Sequence, residues 1–152
     1  MPPDRPYIER NARGLERLRA LVERLRDVEL RLPVNEYWTV AGVLGHIAFW
    51  DARQLALADK LEQGVPFGPS DVEPEDVTWI NESARPLIHA IPPGEAARLA
   101  LRLAEETDRR MAALDPVRLW PTDPNSPINP MRASHRGEHL DEIEAALRRQ
   151  TG

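Results

Sequence analysis

The distribution of proline is the sequence feature that most restricts what this chain can fold into. Its 15 prolines cluster near the start of the chain, at Pro33, and over residues 66–74, 86–93 and 116–130. A proline in a helix interior removes a hydrogen bond and costs roughly 3 kcal/mol, so long helices are confined to the segments between clusters. A shorter proline-free piece, 75–85, has room for a few helical turns. The four long proline-free segments are 7–32, 34–65, 94–115 and 131–152.

Hydrophobic spacing and capping residues indicate that these segments are helical. Leucines and valines of the first segment recur every three or four residues, as on one face of an amphipathic helix. Thr39 fits the N-cap of a second helix that is apolar on most faces, while Asn129 and Pro130 fit the start of the fourth. The sequence therefore predicts an all-α four-helix bundle with a short extra helical piece before the third long helix. The predicted long helices are 7–30, 39–63, 94–114 and 130–149.

Length, charge and cysteine content narrow the class of protein. A chain of 152 residues is expected to form a single domain, residues 1–152, with its own core. The net charge of −5, with arginines interspersed among acidic residues, argues against a nucleic-acid partner. No apolar run is long enough to cross a membrane or looks like a signal peptide, so we expect a cytoplasmic protein. Cysteine is absent, which excludes a thiol nucleophile or thiolate metal ligands from the chain itself.

Two of the four histidines lie four residues apart in "SHRGEH", as His135 and His139. On a helix, side chains at this spacing share one face and are close enough to bind one metal ion. The pair borders an apolar stripe, which predicts that it faces the bundle interior. His46 lies in the middle of the apolar second helix. If the second and fourth long helices face each other, the three imidazoles form a metal site with an open position, while the alternative for His46 is a hydrogen-bonded core histidine.

Other metal motifs fit this sequence less well. No histidine has a glutamate three residues before it, as ferritin-like di-iron sites require, and HExxH is absent. The segment "HRGEH" matches the HxxEH pattern of inverted zinc proteases, but few residues follow it and the predicted fold differs. Glu138 is therefore interpreted as a surface residue or a neighbour of the metal ligands. A proteolytic base is the alternative for it.

The order of these motifs resembles the DinB-like superfamily. The stretch "WTVAGVLGHIAFWDARQL", followed far downstream by "HRGEHLDEI", is similar to the two histidine-bearing helices of that superfamily, which includes YfiT-like proteins and the N-terminal domain of mycothiol-dependent maleylpyruvate isomerase. The resemblance covers nearly the whole chain. It implies a bundle in which His46, His135 and His139 bind a divalent ion, with zinc, nickel and iron all open.

The resemblance also implies a thiol-linked enzyme, because several relatives use a low-molecular-weight thiol in S-transfer or isomerisation. A transferase, isomerase or hydrolase acting on a small-molecule substrate is expected, and the lack of cysteine fits a thiol supplied as cosubstrate. Arg53, Glu142 and, more weakly, Glu138 are the candidate catalytic residues, although solvated charge pairs explain them as well. Trp50 and Asn81 are candidates for lining the binding pocket. Trp79 is predicted to lie in the core.

A second hypothesis is a non-catalytic bundle, a stress-linked small-molecule-binding or structural protein with a vestigial metal site. Sequence does not separate the two, since a fold does not fix a function. The resemblance further implies a homodimer formed through a bundle face. His89, between Pro86 and Pro92, is predicted not to be a ligand, because a regular helix is difficult to continue there.

Overall fold

The chain folds into six α-helices over the residues that the computed structural model describes, 4–72 and 77–151. This part of the chain contains no β-strand, which confirms the all-α class. None of its helices is both long and apolar enough to cross a membrane. The helices are α1 (Pro6–Arg24), α2 (Asp27–Leu30), α3 (Val40–Glu62), α4 (Thr78–His89), α5 (Pro93–Ala113) and α6 (Arg132–Thr151).

The second and third predicted long helices are observed as α3 and α5, while the first is shorter than predicted. Thr39 caps α3 as expected, with its Oγ1 accepting a hydrogen bond of 2.9 Å from the backbone N–H of Gly42. The predicted helix 7–30 is broken because Leu25 adopts an extended backbone after α1. The chain then turns and forms α2, whose last residue, Leu30, is buried in the core.

The fourth helix begins two residues later than predicted because a residue of α1 supplies its cap. Asn129 instead accepts a hydrogen bond from the N–H of Met131 at 3.0 Å, which forms a local turn. The amide of the buried Asn11 bridges this junction: its oxygen accepts from the N–H of Ala133 at 2.9 Å, and its nitrogen donates to the carbonyl of Pro130 at 2.8 Å. The first turn of α6 is thereby fixed to α1.

The short piece before the third long helix is longer than predicted, since α4 runs through Pro86 to His89. Residues 75 and 76 of the predicted piece lie outside the described residues. Pro86 deprives the carbonyl of Glu82 of its helical partner, but both residues are exposed, so water can take that hydrogen bond. α4 packs closely on α3, where a Cβ added at Gly42 would overlap the ring of His89.

The four long helices pack side by side in the cyclic order α1, α5, α3, α6. Their shared core is built from apolar side chains of all four helices, and α3 is buried on most of its faces, as its sequence predicts. A second apolar cluster lies towards the C-terminal ends of α3 and α5, beneath the proline-rich connection to α6. Fully buried core side chains from the four helices include Leu18, Leu44, Ile47, Ala100, Ala104, Leu140 and Ile143.

A buried ionic network of Asp51, Asp108, Arg132 and Arg136 joins α3, α5 and α6. The two carboxylate oxygens of Asp51 accept hydrogen bonds from Arg132 Nε at 3.0 Å and Arg136 Nε at 2.9 Å. The guanidinium of Arg136 also donates two hydrogen bonds, of 3.0 and 2.7 Å, to the carboxylate of Asp108. Asp51 and Arg136 are completely buried. Because two cations meet two anions, the network carries no net charge, and it fixes α6 against both of its neighbours.

We expect Arg136→Met to destabilise the protein by about 3–5 kcal/mol, because it leaves buried carboxylates without their partner. The matched control is Arg98→Met, whose exposed i,i+3 pair with Glu95 should contribute less than about 1 kcal/mol. Urea unfolding of both variants measures the difference. Equal free energies of unfolding would show that the network does not hold the helices together.

Candidate metal centre

Three histidines from two helices meet at one side of the bundle. His46 is buried in the middle of α3, with 8% of its surface exposed. His135 and His139 are half-buried on α6, one helical turn apart. The ring centroid of His46 lies 5.4 Å from that of His135 and 4.6 Å from that of His139. The ring centroids of His135 and His139 are 4.7 Å apart. The three residues are called the histidine cluster below.

The histidine cluster is close enough to hold one metal ion, which confirms this part of the sequence prediction. One ring nitrogen from each residue lies within 4.8 Å of the other two. Two nitrogens that are both about 2.1 Å from one ion can be at most about 4.2 Å apart, so nitrogens at the 4.8 Å limit must approach each other by at least roughly 0.6 Å. No other group of metal-binding side chains was found in residues 4–72 and 77–151.

Burial keeps two imidazoles of the cluster, those of His46 and His135, neutral, as metal ligation requires. Burial lowers the pKa of His46 to about 4, and the nearby His139 adds to this effect. Burial lowers the pKa of His135 to about 2, with further lowering by His139 and by the guanidinium of Arg132. The Nδ1 atom of His135 is also buried without a hydrogen-bond partner. Such a neutral, unpartnered nitrogen fits a ligand set for a metal ion.

Of the candidate acidic residues, Glu142 contacts the cluster and Glu138 does not. The Oε2 atom of Glu142 lies 3.2 Å from Nδ1 of His139. A carboxylate on one ring nitrogen orients the imidazole and leaves the other nitrogen for a metal. Glu138 is exposed on α6 and lines neither of the cavities beside the cluster.

A cavity of about 330 Å³, called the histidine cavity below, opens beside the cluster. Trp50 and Asn81 both line it, and the indole Nε1 of Trp50 donates a hydrogen bond of 2.9 Å to Oδ1 of Asn81. Arg53 lines it too, with its guanidinium 5.7 Å from the centre of the Trp50 ring. The remaining residues that line the cavity are Gln54, Val77, Asn129 and Arg132. A smaller space of about 220 Å³, bordered by Trp38 and Glu142, adjoins His46 and His139 from the other side.

Two tryptophans and the fourth histidine lie outside the histidine cavity. The prediction that Trp79 is in the core is wrong: 61% of its surface is exposed, because it lies on the face of α4 that points away from α3. Trp120 borders a separate apolar cavity next to Tyr7. His89 is exposed and is not part of the cluster. Its ring packs against Trp38, with centroids 5.3 Å apart.

Sequence reasoning missed two features of this site, the buried ionic network behind it and Gln54 within it. The available signals were an aspartate, Asp51, in the middle of the most apolar helix and a pair of arginines four residues apart, Arg132 and Arg136, that flank His135. Neither signal identifies its partner, because the pairs join residues more than 80 positions apart along the chain. Gln54 lies eight residues after His46 on α3, so a helical count from that histidine would have placed it on the same face.

Comparison with known proteins does not add to this description, since no family model, curated protein or solved structure matches the chain. The functional interpretation therefore depends on the geometry of the site and on the motifs of the sequence.

We expect the stability of the metal-free protein to fall as the pH decreases from 6.5 towards 4. In this range the unfolded chain protonates His46 while the folded chain, in which the pKa of His46 is about 4, does not. At about 1.4 kcal/mol per pKa unit, this group alone removes roughly 2 kcal/mol between pH 6.5 and pH 5. The measurement is urea unfolding in the presence of a chelator, with His46→Gln as the reference. Parallel pH profiles for the two proteins would contradict it.

Proposed function

We propose that this protein is a divalent-metal-dependent enzyme that acts on a small molecule in the histidine cavity. The observation that carries the proposal is the position of the three imidazoles at the wall of a cavity that also presents polar side chains. Structural metal sites are closed by four protein ligands, whereas three histidines leave a position for a substrate. The same histidines occupy the motifs that resemble the DinB-like superfamily, and membership of that superfamily is part of the proposal.

The donor set favours zinc or nickel, with iron as the third candidate. Neutral imidazoles suit these borderline ions, whereas magnesium and calcium prefer oxygen ligands. When bound, such an ion supplies Lewis-acid activation of a substrate oxygen or sulfur at neutral pH. A low-molecular-weight thiol is the proposed cosubstrate, because the chain has no cysteine of its own to act as a nucleophile.

The side chains around the cavity have separate proposed roles. Glu142 holds His139 in orientation through its hydrogen bond to Nδ1. Trp50 provides an apolar wall, and its hydrogen bond to Asn81 fixes the position of α4 against α3 at the cavity. Arg53 supplies a cationic group for an anionic part of the substrate. A homodimer and a cytoplasmic location remain predictions of the sequence analysis.

We expect the purified protein to bind one zinc or nickel ion per chain. Replacing His46, His135 or His139 by alanine should each weaken binding at least about 100-fold, since each removes one of three ligands. The helical circular dichroism spectrum should persist without metal, because burial of apolar side chains stabilises the bundle. Isothermal titration calorimetry measures the affinities, and His89→Ala serves as the control that should bind normally. Equal metal loss in this control would contradict the assignment.

We expect Glu142→Gln to weaken metal binding about tenfold, because the carboxylate that orients His139 is lost. Glu138→Gln is the matched control on the same helix and should leave the affinity unchanged, since Glu138 is exposed. The same calorimetric titration distinguishes them. A stronger effect of Glu138 would instead favour the protease-like alternative for that residue.

Catalysis is tested by incubating metal-loaded protein with a series of low-molecular-weight thiols and an electrophile such as 1-chloro-2,4-dinitrobenzene. Formation of the thioether, above the rate in buffer and dependent on His46, supports a thiol-dependent transferase. Stoichiometric metal binding without turnover with any thiol would favour the non-catalytic binding bundle.

A further inference from the structure

Gln54 is a buried polar side chain of the histidine cavity whose amide oxygen has no hydrogen-bond partner among the described residues. It lies on α3 two helical turns after His46, and 5% of its surface is exposed. Its Oε1 atom is fully buried without a hydrogen-bond partner in the described part of the chain. Buried amides are nearly always paired, because an unpaired one carries the full cost of its desolvation. An unpaired amide at a cavity wall therefore points to a partner outside the protein.

Arg53, the residue before Gln54, is a cationic side chain that lines the same cavity. Its Nη2 donates a hydrogen bond of 2.6 Å to the backbone carbonyl of Asp71, and its guanidinium stacks on Trp50. The carboxylate of Asp71 is itself bonded by Lys60 Nζ, at 2.7 and 2.8 Å, and by the N–H of Gly68. Among the described residues that line the histidine cavity, none is a carboxylate. The described lining of the cavity therefore favours an anion.

We propose that Arg53 and Gln54 form an anchoring subsite that binds a small hydroxycarboxylate. The proposal rests on the proposed function, since it names the substrate class of the same cavity. The carboxylate of the ligand binds the guanidinium of Arg53. The hydroxyl group of the ligand binds the amide of Gln54. Because a hydroxyl can both donate and accept a hydrogen bond, it can pair with either the oxygen or the nitrogen of the amide, whichever of the two faces the ligand. A volume of about 330 Å³, near the lower end of the range for small-molecule pockets, accommodates a ligand of this class.

The matched probes are 3-hydroxypropionate and propionate, which differ by one hydroxyl group. We expect the first to bind the zinc-loaded protein about tenfold more tightly, since a buried amide that is left unpaired discriminates against the ligand without the hydroxyl. Gln54→Leu, which keeps the size of the side chain, should reduce this ratio to about one. Arg53→Met should weaken both anions about tenfold and leave the ratio intact. Isothermal titration calorimetry measures all six affinities.

Thermal unfolding provides a readout that does not depend on the ligand. Gln54→Leu should raise the Tm, because it replaces an unpaired buried amide by an apolar side chain of similar size. A lowered Tm would show that the amide is satisfied within the protein and would overturn the proposal. An affinity ratio near one in the unsubstituted protein, or a ratio that survives Gln54→Leu, would overturn it as well.

The titrations are repeated on metal-free protein, which separates this subsite from the metal. If zinc does not bind, the proposed function fails, while the hydroxyl-dependent ratio still reports on Gln54. If zinc binds but the ratio is near one with and without the metal, the subsite fails and the metal centre stands.

Discussion

A carboxylate buried in the most apolar helix determines how the rest of the site is arranged. Asp51 is completely buried, and its two carboxylate oxygens accept hydrogen bonds from Arg132 and Arg136. These two arginines lie one helical turn apart on α6. A buried charge is tolerated only when its partners are in place, so any other register of α6 on α3 leaves this carboxylate unpaired. The register that pairs it also turns His135 and His139 towards His46. The geometry of the histidine cluster therefore depends on an interaction in which none of the three histidines takes part.

Polar groups without partners are concentrated where the chemistry is proposed to occur. Two of the three buried, unpaired side-chain atoms in the described part of the chain, Nδ1 of His135 and Oε1 of Gln54, belong to residues that line the histidine cavity. The third, the hydroxyl of Tyr7, lies in the second apolar cluster. Proteins commonly retain such local conflicts at functional sites and compensate for them in the surrounding core. Here the surrounding core is the ionic network and the apolar packing of α3.

The sequence predicts most of the fold where local rules decide the outcome, with Pro86 inside α4 as an exception, and fails where distant residues decide it. Proline spacing and the Thr39 cap locate α3 and α5 to within one residue, and the i,i+4 spacing pairs His135 with His139. The break after Arg24 and the late start of α6 depend on tertiary contacts, as with Asn11, whose side chain caps a helix 122 residues away. The buried ionic network was missed for the same reason, because charge pairing between helices leaves no period in the sequence.

The single lysine of this chain gives chemical access to one wall of the histidine cavity. Lys60 is its only lysine, and it binds the carboxylate of Asp71, whose backbone carbonyl holds Arg53. Acylation of Lys60 removes the cation that pairs with Asp71 and so loosens the loop against which Arg53 rests. Among the side chains of the protein, an amine-reactive reagent therefore modifies Lys60 alone, and the α-amino group is its other target.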